Sequence, residues 1–255
     1  MTSPRHTPAA LAAVATLLAL ALAWGGCERG PTQRRADFDV EGIDLSHHQA
    51  VVDWSRVARA GMHFAYLKAT EGTDHVDTRF ADNWPEARYA GLARGAYHFF
   101  RPDRDAGAQA RHFFSTVDLQ VGDLPPVLDV ETTAGATRDD LVRGVRAWLY
   151  HAEARYGVRP VIYTNLTFYY RHLAGHFDDY TFWIARYGER VPSIAPAARL
   201  AFWQYGDRGR VPGVEGPVDL NVFFGSRGEF DDLLIVAPPV YTFGEDDAGA
   251  PVATR

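Results

Sequence analysis

Apolar positions between residues 41 and 224 fall in short, β-branched runs separated by stretches of helical period. Gly42-Ile43-Asp44-Leu45-Ser46 reads as a first strand, and residues 54–60 as a short helix stopped by Gly61. His63-Phe64-Ala65-Tyr66-Leu67-Lys68 predicts a second strand, and residues 93–100 a third. Between them, residues 79–89 predict a helix that closes at Gly91 and that Pro85 restricts. Asp105 is suited to cap a helix through Val117. Val127, Leu128 and Val130 form a short buried strand, bounded by Pro125 and Pro126 before and by Thr132, Thr133 and Gly135 after. Residues 137–156, ending at Gly157, make the longest helix, with Leu141, Val145, Trp148 and Leu149 on one stripe. Residues 161–165 are the fifth strand. After it the rhythm changes: residues 182–187, 201–205 and 218–223 are strands with no helical pattern between them. Five βα units followed by three strands predict a barrel whose last part need not be parallel.

The ends of the chain read differently. Arg5 and His6 form a sparse basic start, and residues 9–24 are continuously Ala/Leu-rich. That run is shorter than the roughly 20 residues that span a bilayer comfortably, so residues 1–26 are expected to be an export signal. Cys27 follows Gly25 and Gly26 and is the chain's only cysteine. Its position resembles the acylated cysteine of a bacterial lipoprotein, with Trp24 where leucine is usual; a secretory signal with an incidental cysteine is the alternative. A lone cysteine excludes an intramolecular disulfide. Residues 27–40, with Gly30, Pro31, Arg34 and Arg35, read as a tether, residues 41–235 as one barrel domain, and residues 236–255 as a loose, Pro- and Gly-containing tail.

A net charge of −6 argues against nucleic acid as a partner and offers no attraction to anionic lipid. An aromatic content of 13% suits stacking on sugar faces, and equally suits a core.

The candidate chemistry gathers at strand ends. Asp129 and Glu131 are two apart, so in a strand they share a face, roughly 6–7 Å apart at Cα. Two close carboxyls push one pKa up, leaving an acid and an anion near neutrality. A capping Asp and an Arg-paired Glu are the structural alternative. Asp44, Lys68, His98, Asp129, Glu131, Tyr163, Tyr187 and Tyr205 all fall at or near strand C-terminal ends, which in a barrel converge on one mouth; Asp219 is positioned to reach the same mouth. Lys68 is the only lysine in a chain that otherwise uses arginine. Either a compact ammonium is needed beside an acid, or the lysine is a chance survivor.

Together these residues match a family. The segments Gly42-Ile43-Asp44-Leu45-Ser46, Tyr66-Leu67-Lys68-Ala69-Thr70-Glu71-Gly72, Gly95-Ala96-Tyr97-His98-Phe99, Asp129-Val130-Glu131, Trp183-Ile184-Ala185-Arg186-Tyr187, Trp203-Gln204-Tyr205 and Val218-Asp219-Leu220-Asn221 resemble, in order, the family 25 glycoside hydrolases. These are the Chalaropsis-type lysozymes, N-acetylmuramidases that cut peptidoglycan. The resemblance implies an α/β fold, a flattened (β/α)5(β)3 TIM-like barrel in a single domain. It implies Glu131 as catalytic acid and base, Asp129 as the carboxylate that positions the reacting sugar or its acetamido group, and Asp44 and Asp219 as supporting acids. Tyr66, Lys68, Glu71, Tyr97, His98, Tyr163, Tyr187, Trp203 and Tyr205 are the candidate substrate-binding residues; the aromatic ones serve equally well as core, and Trp183 is expected in the core.

A peptidoglycan glycan strand is then the expected partner of a monomer held at the cell envelope through Cys27, or secreted. No cofactor and no metal are expected. Two rival functions remain. One is a metal-dependent hydrolase using Asp44, His98, Asp129 and Asp219, although no HxH or HExxH spacing occurs. The other is a glycan-binding barrel without catalysis, against which the retention of all four acids argues.

Overall fold

In the computed structural model, which describes residues 35–196 and 198–237, eight strands close into a barrel. In chain order the elements are β1 (Glu41–Leu45), α1 (Trp54–Arg59), β2 (Phe64–Glu71), β3 (His75–Val76), α2 (Phe80–Tyr89), β4 (Ala93–Phe99), α3 (Ala106–Thr116), β5 (Val127–Asp129) and α4 (Arg138–Tyr156). Then come β6 (Val161–Asn165), the single turn α5 (Leu166–Phe168), which runs on as a π turn over Tyr169–Leu173, and β7 (Thr181–Ala185), β8 (Arg199–Gly209), β9 (Val218–Phe223) and α6 (Arg227–Leu233). Strands β1, β2, β4, β5, β6, β7 and β8 are parallel neighbours in that order. Only β9, which closes the ring between β8 and β1, is antiparallel. The expected single-domain α/β barrel is therefore present, and its antiparallel member is the last strand. The export signal with Cys27, and the tail beyond residue 237, lie outside the described residues.

Alternation along the strands builds two cores. On β2, Phe64 and Tyr66 pack inside the barrel with Val127, Val161, Trp183 and Phe202, whereas Ala65, Leu67 and Ala69 face the helices. A sheet buried on both faces needs apolar residues at nearly every position, which is why these strands read as continuous apolar runs. The outer layer is filled by helix faces, among them the predicted stripe Leu141, Val145, Trp148 and Leu149 of α4. That helix is bounded as its sequence implies: the Thr137 side chain accepts from Asp140 N, and Gly157 ends it at a φ of +66°, which glycine adopts without strain.

The N-terminal ends of the strands are sealed by a buried ion pair. Arg94 on β4 donates through Nε to Asp123 Oδ1 at 2.9 Å, and Arg88 of α2 reaches the same oxygen at 3.2 Å. The Arg94 guanidinium also lies 3.9 Å above the Trp84 ring. Beside them α6 packs Phe230 against Phe64 and Phe223. This helix was not anticipated, although its capping box, Ser226 and Glu229, is a sequence signal for one. The two-residue strand β3, a hairpin arm on β2, was also not anticipated. Residues 35–40, read as the end of a tether, instead fold onto the barrel. Phe38 and Val40 are buried, and Arg35 pairs with Glu41 and lies over the Tyr205 ring.

Candidate active site

At the C-terminal ends of the strands, the barrel opens into a cleft of about 210 Å³ lined by Asp44, Ser46, His48, Lys68, Tyr97, Phe99, Asp129, Glu131, Tyr163, Trp183 and Asp219. The four acids that the sequence singles out thus meet in one cavity, with the lone lysine among them. Strand geometry accounts for the meeting. Asp44, next to last on β1, is directly opposite Asp219 of β9. Asp129 ends β5, and the chain stays extended beyond it because Val130 N donates to Tyr163 O at 2.9 Å and Thr164 Oγ1 donates to Val130 O at 2.7 Å. Glu131 therefore keeps the face of Asp129, one step nearer solvent, where it is exposed at the mouth.

Burial dominates the electrostatics. Asp129 is buried, and burial followed by the charge of Glu131 holds its carboxyl well above the usual range, with Lys68 pulling it down. Glu131 is raised by burial among the cleft walls and by Asp219, and is lowered by Lys68 and by the nearby Tyr163 hydroxyl. Two raised carboxyls side by side titrate as a pair, and the pair holds a proton above the ordinary carboxylate range. Glu131 is the outer, solvent-exposed member of the pair. Asp129 Oδ1 is buried and has no hydrogen-bond partner among the described residues. An unpartnered acceptor inside a protein costs free energy unless a ligand donates to it.

Asp44 has the opposite surroundings. Its Oδ1 accepts from Gln204 Nε2 at 2.9 Å and from Asn221 Nδ2 at 2.7 Å, and its carboxyl shares a hydrogen bond with Asp219. The amides are oriented in turn. Gln204 Oε1 accepts from the hydroxyls of Tyr163 (3.0 Å) and Tyr187 (3.3 Å), and Asn221 Oδ1 accepts from the Trp183 indole at 2.9 Å. Burial and Asp219 raise Asp44 well above the ordinary carboxylate range despite the two amide donors. Asp219 is raised as well, chiefly by burial.

Several candidates lie elsewhere. Tyr66 is fully buried one layer below the cleft, stacked on Trp183 at 4.9 Å, with its hydroxyl on Pro125 O. His98 faces outward from β4, bonded to Thr70 and Gln109 and stacked on Trp148, so the set required by a metal-dependent hydrolase is not assembled. Among the described residues no group of three or more His, Cys, Asp or Glu side chains is arranged to hold a metal ion. Trp203 and Tyr205 also face outward, Trp203 against Phe38 and Tyr205 against Arg35. Glu71 does not line the cleft; it holds Lys68 Nζ at 2.7 Å. Tyr97 and Tyr163 line the cleft as expected, and Tyr187 borders it through Gln204. Trp183, expected in the core, belongs both to the core and to the cleft floor. Gln204 and Asn221 were not anticipated.

The arrangement of a raised outer carboxyl, an inner carboxylate with a free oxygen and tyrosines around them is suited to acid–base cleavage of a glycoside. Comparison with known proteins agrees. The sequence is 45% identical over 204 residues to the uncharacterized protein YegX of Escherichia coli, covering 78% of this chain and 75% of that one. It is 41% identical over 220 residues to Lysozyme M1 of Streptomyces globisporus, covering 79% and 74%. The crystal structure of the bacterial lysozyme from Streptomyces coelicolor superposes with a TM-score of 0.72 at 37% identity, covering 76% of this chain and 96% of that one. A model of the glycosyl hydrolases family 25 matches residues 43–214, a span that holds Asp44, Asp129 and Glu131 and stops just short of Asp219. The chain is a glycoside hydrolase and belongs to glycosyl hydrolases family 25.

Proposed function

We propose that the protein hydrolyses peptidoglycan at the β-1,4 bond between N-acetylmuramic acid and N-acetylglucosamine, with Glu131 as general acid and base. Lysozyme M1, 41% identical, is named for the same activity. The observation that carries the reading is the pairing of Glu131 at the mouth, its carboxyl raised by burial and by Asp219, with buried Asp129, whose Oδ1 has no hydrogen-bond partner among the described residues. Glu131 protonates the leaving oxygen. Negative charge on Asp129 stabilises the oxocarbenium-like transition state. The free Oδ1 accepts the N–H of the sugar's acetamido group and turns its carbonyl oxygen toward the anomeric carbon, a substrate-assisted route. In the alternative route Asp129 attacks the anomeric carbon itself. Trapping a covalent sugar ester on Asp129 with a fluorinated substrate, read by mass spectrometry, contradicts the substrate-assisted version; resistance of glycan lacking the muramic N-acetyl group supports it. Asp44 and Asp219 support this pair from the opposite wall, while Lys68, Tyr97, Tyr163 and Tyr187 contact the glycan.

The reading extends to location. Residues 1–26 direct export, Cys27 carries lipid, and the barrel of residues 41–235 acts on the wall from a membrane-anchored position, as a monomer. Cys27→Ser then releases the protein from membranes or leaves an uncleaved precursor. Wild-type protein that is wholly soluble and free of acyl groups contradicts the anchor. Turnover of purified peptidoglycan tests the enzymatic reading against that of a glycan-binding barrel without catalysis.

A further inference from the structure

Strand β2 carries one residue more than β4 between two of their pairings. Lys68 is opposite Tyr97 and Thr70 is opposite His98, so two steps along β2 match one step along β4. An extra residue of this kind turns every later side chain to the other face. In a regular strand Thr70 would share the inner face with Tyr66 and Lys68, and Glu71 would point at the helices. With the bulge, Thr70 is fully buried on the outer side. Glu71 returns to the side of Phe99, where its Oε2 accepts from Lys68 Nζ at 2.7 Å.

Beside the backbone bond from Gly72 N to Phe99 O at 3.2 Å, a side-chain hydrogen bond between Thr70 Oγ1 and His98 Nδ1, at 2.7 Å, ties the bulge to the neighbouring strand, and its direction is determined. The Gln109 amide is locked, because its Nε2 donates to the carbonyls of Arg101 (2.9 Å) and Arg104 (3.2 Å) while its Oε1 accepts the Arg101 N–H (2.8 Å). That same Oε1 lies 3.2 Å from His98 Nε2, so the ring proton is on Nε2. Nδ1 is then an acceptor, and the Thr70 hydroxyl donates to it. Burial pushes the His98 pKa down to about 3, so the ring stays neutral at any working pH. His98 does not line the cleft.

We infer that Thr70 and His98 are positioning residues: their bond pins the bulge that delivers Glu71 to Lys68, and so controls the charge around Asp129. The groups facing Asp129 are Glu131 beyond its own strand, Lys68 and Glu71 from β2, Asp44 from β1, Tyr97 from β4 and Tyr163 from β6. Glu71 repels a charge on Asp129, and Lys68 attracts one. If the bulge is lost, or Glu71 neutralised, that repulsion disappears and the ammonium has only the cleft carboxylates left to pair with. Both changes favour ionised Asp129, so its titration moves to lower pH.

The inference rests on the proposed function only in taking Asp129 as the carboxylate that is ionised in the working enzyme, and its test reads that carboxyl directly. Carboxyl titration by NMR and the rate–pH profile are recorded for wild type, Thr70→Val, Thr70→Ser, Glu71→Gln and Thr70→Val/Glu71→Gln. The expected result is that Thr70→Val and Glu71→Gln move the Asp129 titration, and the acid limb of the rate profile, to lower pH by the same amount. The double variant moves them no further, and Thr70→Ser, which keeps the hydroxyl, matches wild type. An unmoved titration in Thr70→Val, or shifts that add in the double variant, overturns the inference. If Thr70→Val does not fold, the inference is overturned by an unmoved titration in Glu71→Gln, or by wild-type ring-nitrogen shifts that place the His98 proton on Nδ1. The expected carboxyl shifts in a protein that leaves peptidoglycan intact uphold the positioning role and remove the proposed function instead.

Discussion

The indole of Trp183 donates to Asn221 Oδ1 at 2.9 Å, and this bond decides which end of the Asn221 amide faces Asp44. An indole N–H only donates, so the amide oxygen must turn toward it and the amide nitrogen toward the carboxyl. Asn221→Asp replaces that donor by an acceptor 2.7 Å from Asp44 Oδ1. A hydrogen bond to a charged group is worth about 1.5–3 kcal/mol, so kcat/KM is expected to fall roughly ten- to hundredfold. Trp183→Phe frees the amide to turn and is expected to give a smaller loss. Steady-state kinetics beside a melting curve check both; wild-type kinetics in Asn221→Asp contradict the orientation argument.

In the proposed mechanism Glu131 has to hold a proton to work as the acid. Its pKa is raised by burial and by Asp219, so activity persists above the ordinary carboxylate range and is lost as pH rises through the raised value. Glu131→Gln removes proton transfer, with an expected loss of about 10²–10⁴ in kcat. A basic limb unchanged in Asp219→Asn would show that Asp219 is not the charge that raises Glu131.

The cleft acids weaken the fold they sit in. Asp44 and Asp129 have folded pKa values above those of the unfolded chain, so the folded protein binds more protons. The stability they supply is complete below the unfolded carboxylate range and is lost as pH rises through the raised folded values. Asp129→Asn, which removes a buried charge whose Oδ1 has no partner, is therefore expected to raise Tm at neutral pH while lowering activity. For a domain of this size each kcal/mol regained appears as about 2–4 °C. A Tm lowered at pH 7 contradicts the account.

At the other end of the barrel, Asp123→Ala leaves Arg94 without its buried carboxylate. Breaking such a pair from one side costs about 3–5 kcal/mol. Denaturant unfolding measures this, and a cost under about 1 kcal/mol means that the Trp84 ring and carbonyl are support enough for the guanidinium.

Much of this was legible in the chain, for identifiable reasons. The strand Val161–Asn165 has the bounds its apolar pattern implies, because a strand buried on both faces writes itself as a nearly continuous run; Val218–Phe223 also has the expected bounds, with Asp219 and Asn221 alternating among its apolar residues. Asp44, Asp129, Glu131 and Asp219 stand out in the sequence because a charge in or beside a buried strand needs a partner or a use, and all four line the cleft. Position along a strand was easier to read than the face a side chain takes. Trp203 and Tyr205 alternate with Gln204, and it is Gln204 that points inward to Asp44. The same phase, counted from Asp219, leads to Asn221. His98 is one residue out of step with Tyr97 and Phe99, which line the cleft. Tyr66 has the phase of Lys68 but lies a layer deeper, a matter of depth that a one-dimensional pattern does not carry. Glu71 reaches Lys68 only through a bulge, and no residue pattern announces that bulge.

The central claim is that this acid-lined cleft cuts one particular glycosidic bond. The direct measurement is digestion of purified peptidoglycan by the protein, followed by reduction and mass spectrometry of the new ends. The account predicts reduced ends at N-acetylmuramic acid, absent when Glu131→Gln replaces wild type. Ends at N-acetylglucosamine, or anhydro-sugar ends formed without water, contradict it.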